Sequence, residues 1–85
     1  MRLIKIEQLR AARGLLGWSQ SELGQRAGLS LPTVKRVETA KGARVSNEAR
    51  TKLQNALEAA GVVFLPENGG GAGVRLRKAQ QAKRR

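Results

Sequence analysis

Residues 19–38 read SQSELGQRAGLSLPTVKRVE, a run with helical periodicity that nonetheless carries Gly28 and Pro32 in its middle. The two punctuators make sense as boundaries. Ser19 is an N-cap residue with Glu22 three positions later, the capping-box pattern, and it opens a helix that runs to about Ala27. Gly28 stands just past that end, where glycine takes the left-handed conformation without a Cβ penalty. Ser30 is the next N-cap. Pro32 then falls in the first turn of a further helix, where a missing backbone N–H forfeits no intrahelical hydrogen bond. The stretch therefore reads as two short helices joined by Gly28-Leu29-Ser30. Leu23, Ala27, Val34 and Val37 supply their inner faces, and Leu29 turns inward.

Upstream, Ile6, Leu9, Ala12 and Leu16 recur at helical spacing and predict an amphipathic helix with Glu7 and Arg10 outside, loosened at its end by Gly14 and Gly17. Trp18 and Leu23 are expected in the core. Downstream, a basic loop TAKGAR leads to Ser46, which caps a helix of about fourteen residues, Asn47 to Ala60, ended by Gly61. Its inner face is Ala49, Leu53, Ala56, Leu57 and Ala60. VVFL (62–65) and VRL (74–76) read as strands around the turn-rich PENGGGAG (66–73), which predicts a β-hairpin. RKAQQAKRR (77–85) lacks apolar periodicity and reads as a disordered basic tail.

Composition narrows the chemistry. A chain of 85 residues is one small domain, too small for a deep catalytic cleft. Cysteine and histidine are absent, which removes disulfides, thiolate nucleophiles, Cys/His zinc sites and imidazole acid–base catalysis. The acidic residues are six well-separated glutamates, with no aspartate, so neither a carboxylate pair nor a clustered Mg²⁺ or Ca²⁺ site is expected. The chain does not read as an enzyme, and no metal or cofactor is implied. In NGGGAG no G-K-[ST] follows, and Val74 occupies the position that would complete G-x-G-x-x-G from Gly69, so this is a flexible hairpin loop rather than a phosphate cradle.

Seventeen Lys and Arg residues leave a net charge of +11, and the pI of about 11.8 lies in the range of nucleic-acid-binding domains. The implied partner is a polyanion. Up to Gly61, 11 basic residues stand against five glutamates (+6), while the last 24 residues hold six against one (+5), so the tail is disproportionately basic. No run approaches the roughly 18 apolar residues that span a bilayer, and MRLIKIEQLR lacks the apolar core and cleavage site of a signal peptide. Trp18 and Phe64, the only aromatics, do not sit on a membrane-surface helix. The expectation is a cytoplasmic protein without membrane attachment.

Two short helices joined by a tight glycine turn in a basic chain form a helix-turn-helix signature. From Leu9 the sequence follows L-R-x-x-R-x-x-x-x-x-S-Q-x-x-L-x-x-x-x-G-x-S-x-x-x-V-x-x-x-E, and residues 7–60, about two thirds of the chain, resemble the lambda-repressor/Cro family of bacterial and phage regulators. The resemblance implies a mainly α fold, a lambda-repressor-like helix-turn-helix bundle of about four helices, here with a C-terminal β-hairpin. It implies a transcriptional regulator that binds double-stranded DNA as a homodimer on a (pseudo)palindromic operator. By position, Gln20 lies against the DNA backbone. The recognition helix, about 31–38, presents Leu31, Pro32, Thr33, Lys35 and Arg36 to base edges, and Lys41 and Arg44 in the following loop face phosphates. The same resemblance implies that Arg13 and Glu38 form a buried or partly buried ion pair between the first helix and the end of the third.

Side-chain chemistry separates these roles. Arg36 suits a bidentate pair with guanine O6 and N7, Lys35 a single-point contact to base or phosphate, and Thr33 a hydrogen bond to either. Leu31 and Pro32 offer apolar contact only, to a thymine methyl. In this division residues 1–61 form the DNA-binding domain, 62–76 a hairpin that is a candidate dimerisation element through Val62, Val63, Phe64 and Leu65, and 77–85 the tail. Two other readings stay open. One is an antitoxin or controller-type autoregulator with a protein partner. The other is an interaction module that has lost DNA contact, against which the charge argues. No ligand-binding domain for a small molecule is evident.

Overall fold

The computed structural model describes residues 4–39, 46–67 and 69–77. Lys41 and Arg44, and residues 78–85 of the basic tail, lie outside the described residues. The elements run α1 (Ile6–Leu16), α2 (Gln20–Ala27), α3 (Leu31–Thr39), α4 (Asn47–Ala59), β1 (Val62–Leu65) and β2 (Gly73–Leu76). The chain is thus mainly α, four helices followed by a two-stranded antiparallel hairpin. Among the described residues no helix is long and apolar enough to cross a membrane.

Local chemistry accounts for most boundaries. Gly17, at φ 69°, ends α1, and the Trp18 N–H reaches back to the Arg13 carbonyl at 3.2 Å, while the Gly17 N–H takes that of Gly14 at 3.1 Å. These paired bonds satisfy carbonyls that a helix end would otherwise leave open. Ser19 Oγ accepts the Glu22 N–H at 3.0 Å, and Ser46 Oγ accepts that of Ala49 at 3.1 Å, so both serines act as caps. The capping box at Ser19 is one-sided. The Glu22 carboxylate turns away to Arg26 Nε at 2.6 Å, one helical turn on, and the Arg26 guanidinium lies 4.6 Å from the centroid of the Trp18 ring. The fourth helix stops at Ala59, one residue short of expectation, and Gly61, at φ 108°, turns the chain into β1. Strand β2 starts one residue early, at Gly73.

Leu9, Leu23, Val34, Val37, Leu53, Leu57 and Val62 form the fully buried centre, so each helix and the hairpin contribute to one core. Each such Leu or Val stabilises the fold by about 1.5–3 kcal/mol relative to exposure. The hairpin pairs Val62 with Leu76, Val63 with Arg75, Phe64 with Val74 and Leu65 with Gly73. Alternation then sends Val62, Phe64, Val74 and Leu76 toward the core, and Val63, Leu65 and Arg75 to the other side. The Arg77 N–H extends the ladder to the Gly61 carbonyl at 2.8 Å. Gln8, only 6% exposed, clamps the loop end of the hairpin: its Nε2 donates to the carbonyls of Leu65 (3.1 Å) and Gly73 (3.0 Å), while its Oε1 accepts the Lys5 N–H at 2.9 Å.

Candidate nucleic-acid interface

The geometry of α2, the turn and α3 begins with glycine. Gly28, at φ 75°, ends α2, and the Leu29 N–H bonds the Gly24 carbonyl at 2.9 Å, folding the chain back on the helix. Gly24 is the tight point. A Cβ there would stand 2.8 Å from the Leu29 carbonyl oxygen and 3.3 Å from Val34 Cγ2. The missing side chain is what lets the turn and α3 sit so close to α2. Ser30 Oγ accepts the Thr33 N–H at 3.3 Å, and Pro32 occupies the first turn of α3.

Helix α3 has two unlike faces. Val34, Val37 and Glu38 are buried, whereas Leu31, Pro32, Lys35, Arg36 and Thr39 are exposed and Thr33 is half-buried. Pro32, Lys35, Arg36 and Thr39 recur at intervals of three, one and three, which is one stripe on a helix. Neither Lys35 nor Arg36 has a side-chain hydrogen-bond or ion-pair partner among the described residues. The hydroxyls differ. Ser30 Oγ and Thr33 Oγ1 bond each other at 2.9 Å, and Thr39 Oγ1 donates to the Lys35 carbonyl at 2.9 Å.

The buried face is held by charge as well as by packing. Arg13 Nε and Nη2 donate to Glu38 Oε2 (2.8 Å) and Oε1 (3.0 Å), and Arg13 Nη1 donates to the Trp18 carbonyl at 3.0 Å. Gln20 Nε2 shares Glu38 Oε1 at 3.0 Å. Arg10 Nη1 donates to the backbone carbonyl of Glu38 at 3.1 Å, satisfying an acceptor in the last turn of α3. One carboxylate therefore ties α1, the start of α2 and the end of α3. The sequence pattern places Arg10 merely on an outer face and gives Gly24 no role. A glycine inside a helical pattern, which costs about 1 kcal/mol against alanine, is the signal that marks Gly24.

The remaining expected residues are dispersed. Val62 and Phe64 lie in the core, so Val63 and Leu65 are what the first strand leaves on its outer side, Leu65 at 37% exposure. No group of three or more acidic, histidine or cysteine side chains that could hold a metal ion occurs among the described residues. A protein-family model described as a helix-turn-helix domain matches residues 7–64, from the start of α1 through Phe64 of the hairpin. No curated protein matches the chain.

Proposed function

The chain belongs to the helix-turn-helix domain family, of the lambda-repressor-like type, and from that premise we propose that it is a sequence-specific DNA-binding regulator of transcription, acting as a homodimer on a two-fold or pseudo-palindromic operator. Helix α3 enters the major groove, and the half-sites lie about one DNA turn apart, ~34 Å, so that two copies meet the same face of the duplex.

The observation that carries this reading is the division of α3. Its inner face is locked by Val34, Val37 and the Glu38 network, and its outer face offers the Lys35 and Arg36 side chains with no internal partner among the described residues. Adjacent unpaired cations repel each other on a free surface, and groove acceptors relieve that repulsion. Arg36 pairs with guanine O6 and N7 and sets specificity, and Lys35 adds a point contact. Gln20 keeps a second Nε2 hydrogen beyond the one given to Glu38, which suits a phosphate oxygen beside the start of α2. Lys41 and Arg44 supply further phosphate contacts.

Selection of bound sites from random double-stranded DNA, followed by gel shift, tests the proposal. The expected result is a two-fold site whose preference is flattened at one position of each half by Arg36→Ala. Equal affinity of the unaltered protein for selected and scrambled DNA would overturn it.

A further inference from the structure

The start of α3 combines an apolar surface with hydroxyls that already bond each other or the backbone. Leu31 is 37% exposed, one of three large hydrophobic residues so exposed among the described residues, and the adjacent Pro32 is exposed and has no N–H. The nearby hydroxyls are engaged internally: Ser30 and Thr33 bond each other at 2.9 Å, Ser30 Oγ also takes the Thr33 N–H, and Thr39 bonds the Lys35 carbonyl. The charged side chains of the outer face without an internal partner among the described residues are Lys35 and Arg36, which begin three residues after Pro32.

We infer that Leu31 and Pro32 read the C5 methyl group of a pyrimidine, thymine or 5-methylcytosine, next to a guanine read by Arg36. This rests on the DNA-binding reading above and specifies what the first turn of the helix recognises. In the major groove thymine differs from cytosine by its C5 methyl and by O4 in place of the N4 amino group. A side chain without donors or acceptors gains nothing from O4 or N4, so it discriminates on the methyl. 5-Methylcytosine carries that methyl in the same place. The cationic flank supplies the attraction that brings this apolar surface against a polyanion. From Pro32 to Arg36 the helix advances about 6 Å at 1.5 Å per residue, so the pyrimidine and the guanine lie within about two base pairs.

The test uses the full chain and a site selected from random DNA. At each pyrimidine next to the preferred guanine, four duplexes are compared: thymine and uracil opposite adenine, and 5-methylcytosine and cytosine opposite guanine. Thymine over uracil and 5-methylcytosine over cytosine should both favour the methylated base, by roughly fourfold per methyl buried. Leu31→Ala and Pro32→Ala, at exposed positions, should together bring both ratios to one. Ratios of one in the unaltered protein overturn the inference while leaving the regulator reading intact. Ratios that persist in the double variant assign the methyl to another side chain and overturn it too. A methyl effect for thymine but not for cytosine refutes recognition of the methyl alone. Failure to select any site removes both readings together.

Discussion

Arg13 and Glu38 meet edge to edge, Nε to Oε2 at 2.8 Å and Nη2 to Oε1 at 3.0 Å, across the junction of α1 and α3. The pair is unequal: the Glu38 side chain is 2% exposed and that of Arg13 24%. Removing the arginine strands a carboxylate away from water, with Gln20 Nε2 as its one remaining side-chain donor among the described residues. Removing the glutamate's charge strands a guanidinium that still reaches solvent and the Trp18 carbonyl. Arg13→Ala should therefore cost about 3–5 kcal/mol of stability and Glu38→Gln less, about 1–3 kcal/mol. Urea unfolding of the two variants checks the order; a reversed order, or negligible shifts in both, would refute the argument.

Gly24 and Gly14 should respond oppositely to alanine. Both are helical, and alanine in a helix interior is favoured by about 1 kcal/mol. At Gly14 a Cβ meets nothing within 4 Å, so Gly14→Ala should stabilise by about 0.5–1 kcal/mol. At Gly24 the Cβ would lie 2.8 Å from a backbone oxygen, which cannot rotate away as a side chain does. Gly24→Ala should destabilise by about 1–3 kcal/mol and weaken DNA binding by moving α3. Thermal melts and gel shifts of the two proteins make the comparison.

The contrast between these glycines is invisible in the sequence, where both simply interrupt a helix. Helix ends are legible because capping is local: Ser19, Gly28, Ser46 and Gly61 act on residues within a few positions of themselves. The role of Gln8 is not, since its acceptors, Leu65 and Gly73, lie 57 and 65 residues away and depend on how the hairpin docks. By its position on α3 Thr33 reads as a groove-facing donor, and that position gives no sign of its hydroxyl contact with Ser30 at 2.9 Å. VVFL looks like one apolar unit, whereas the two-residue period of a strand divides it between the core and the outer side.

Base reading and charge should separate by salt. If Arg36 pairs with a guanine as proposed, Arg36→Ala should cost about 1–3 kcal/mol on the preferred site and much less on scrambled DNA. Truncation after Arg77 removes Lys78, Lys83, Arg84 and Arg85 but keeps the Arg77 N–H that pairs with Gly61. That variant should bind all sequences more weakly, and the slope of log K against log salt should flatten by up to about 0.9 for each phosphate that the tail neutralises. Fluorescence anisotropy across a salt series on both DNAs distinguishes the two effects. An unchanged slope after truncation would show that the tail does not touch DNA.

The hairpin offers a dimer test that leaves the core alone. Deleting it would remove Val62 and Phe64, both buried, and would unfold the protomer whatever its oligomeric state. The outer side carries Val63 and Leu65 beside Arg75, with Leu65 at 37% exposure. Under two-fold symmetry the same patch meets its copy, so a substitution is felt twice. Changing Val63 and Leu65 to lysine places four added cations, two per chain, in such an interface, next to two copies of Arg75. If the outer side joins the subunits, sedimentation should show a monomer whose far-ultraviolet circular dichroism is unchanged, and affinity for a two-fold operator should fall much further than affinity for an isolated half-site. A dimer that survives both lysines excludes this surface and places the subunit contact elsewhere on the chain.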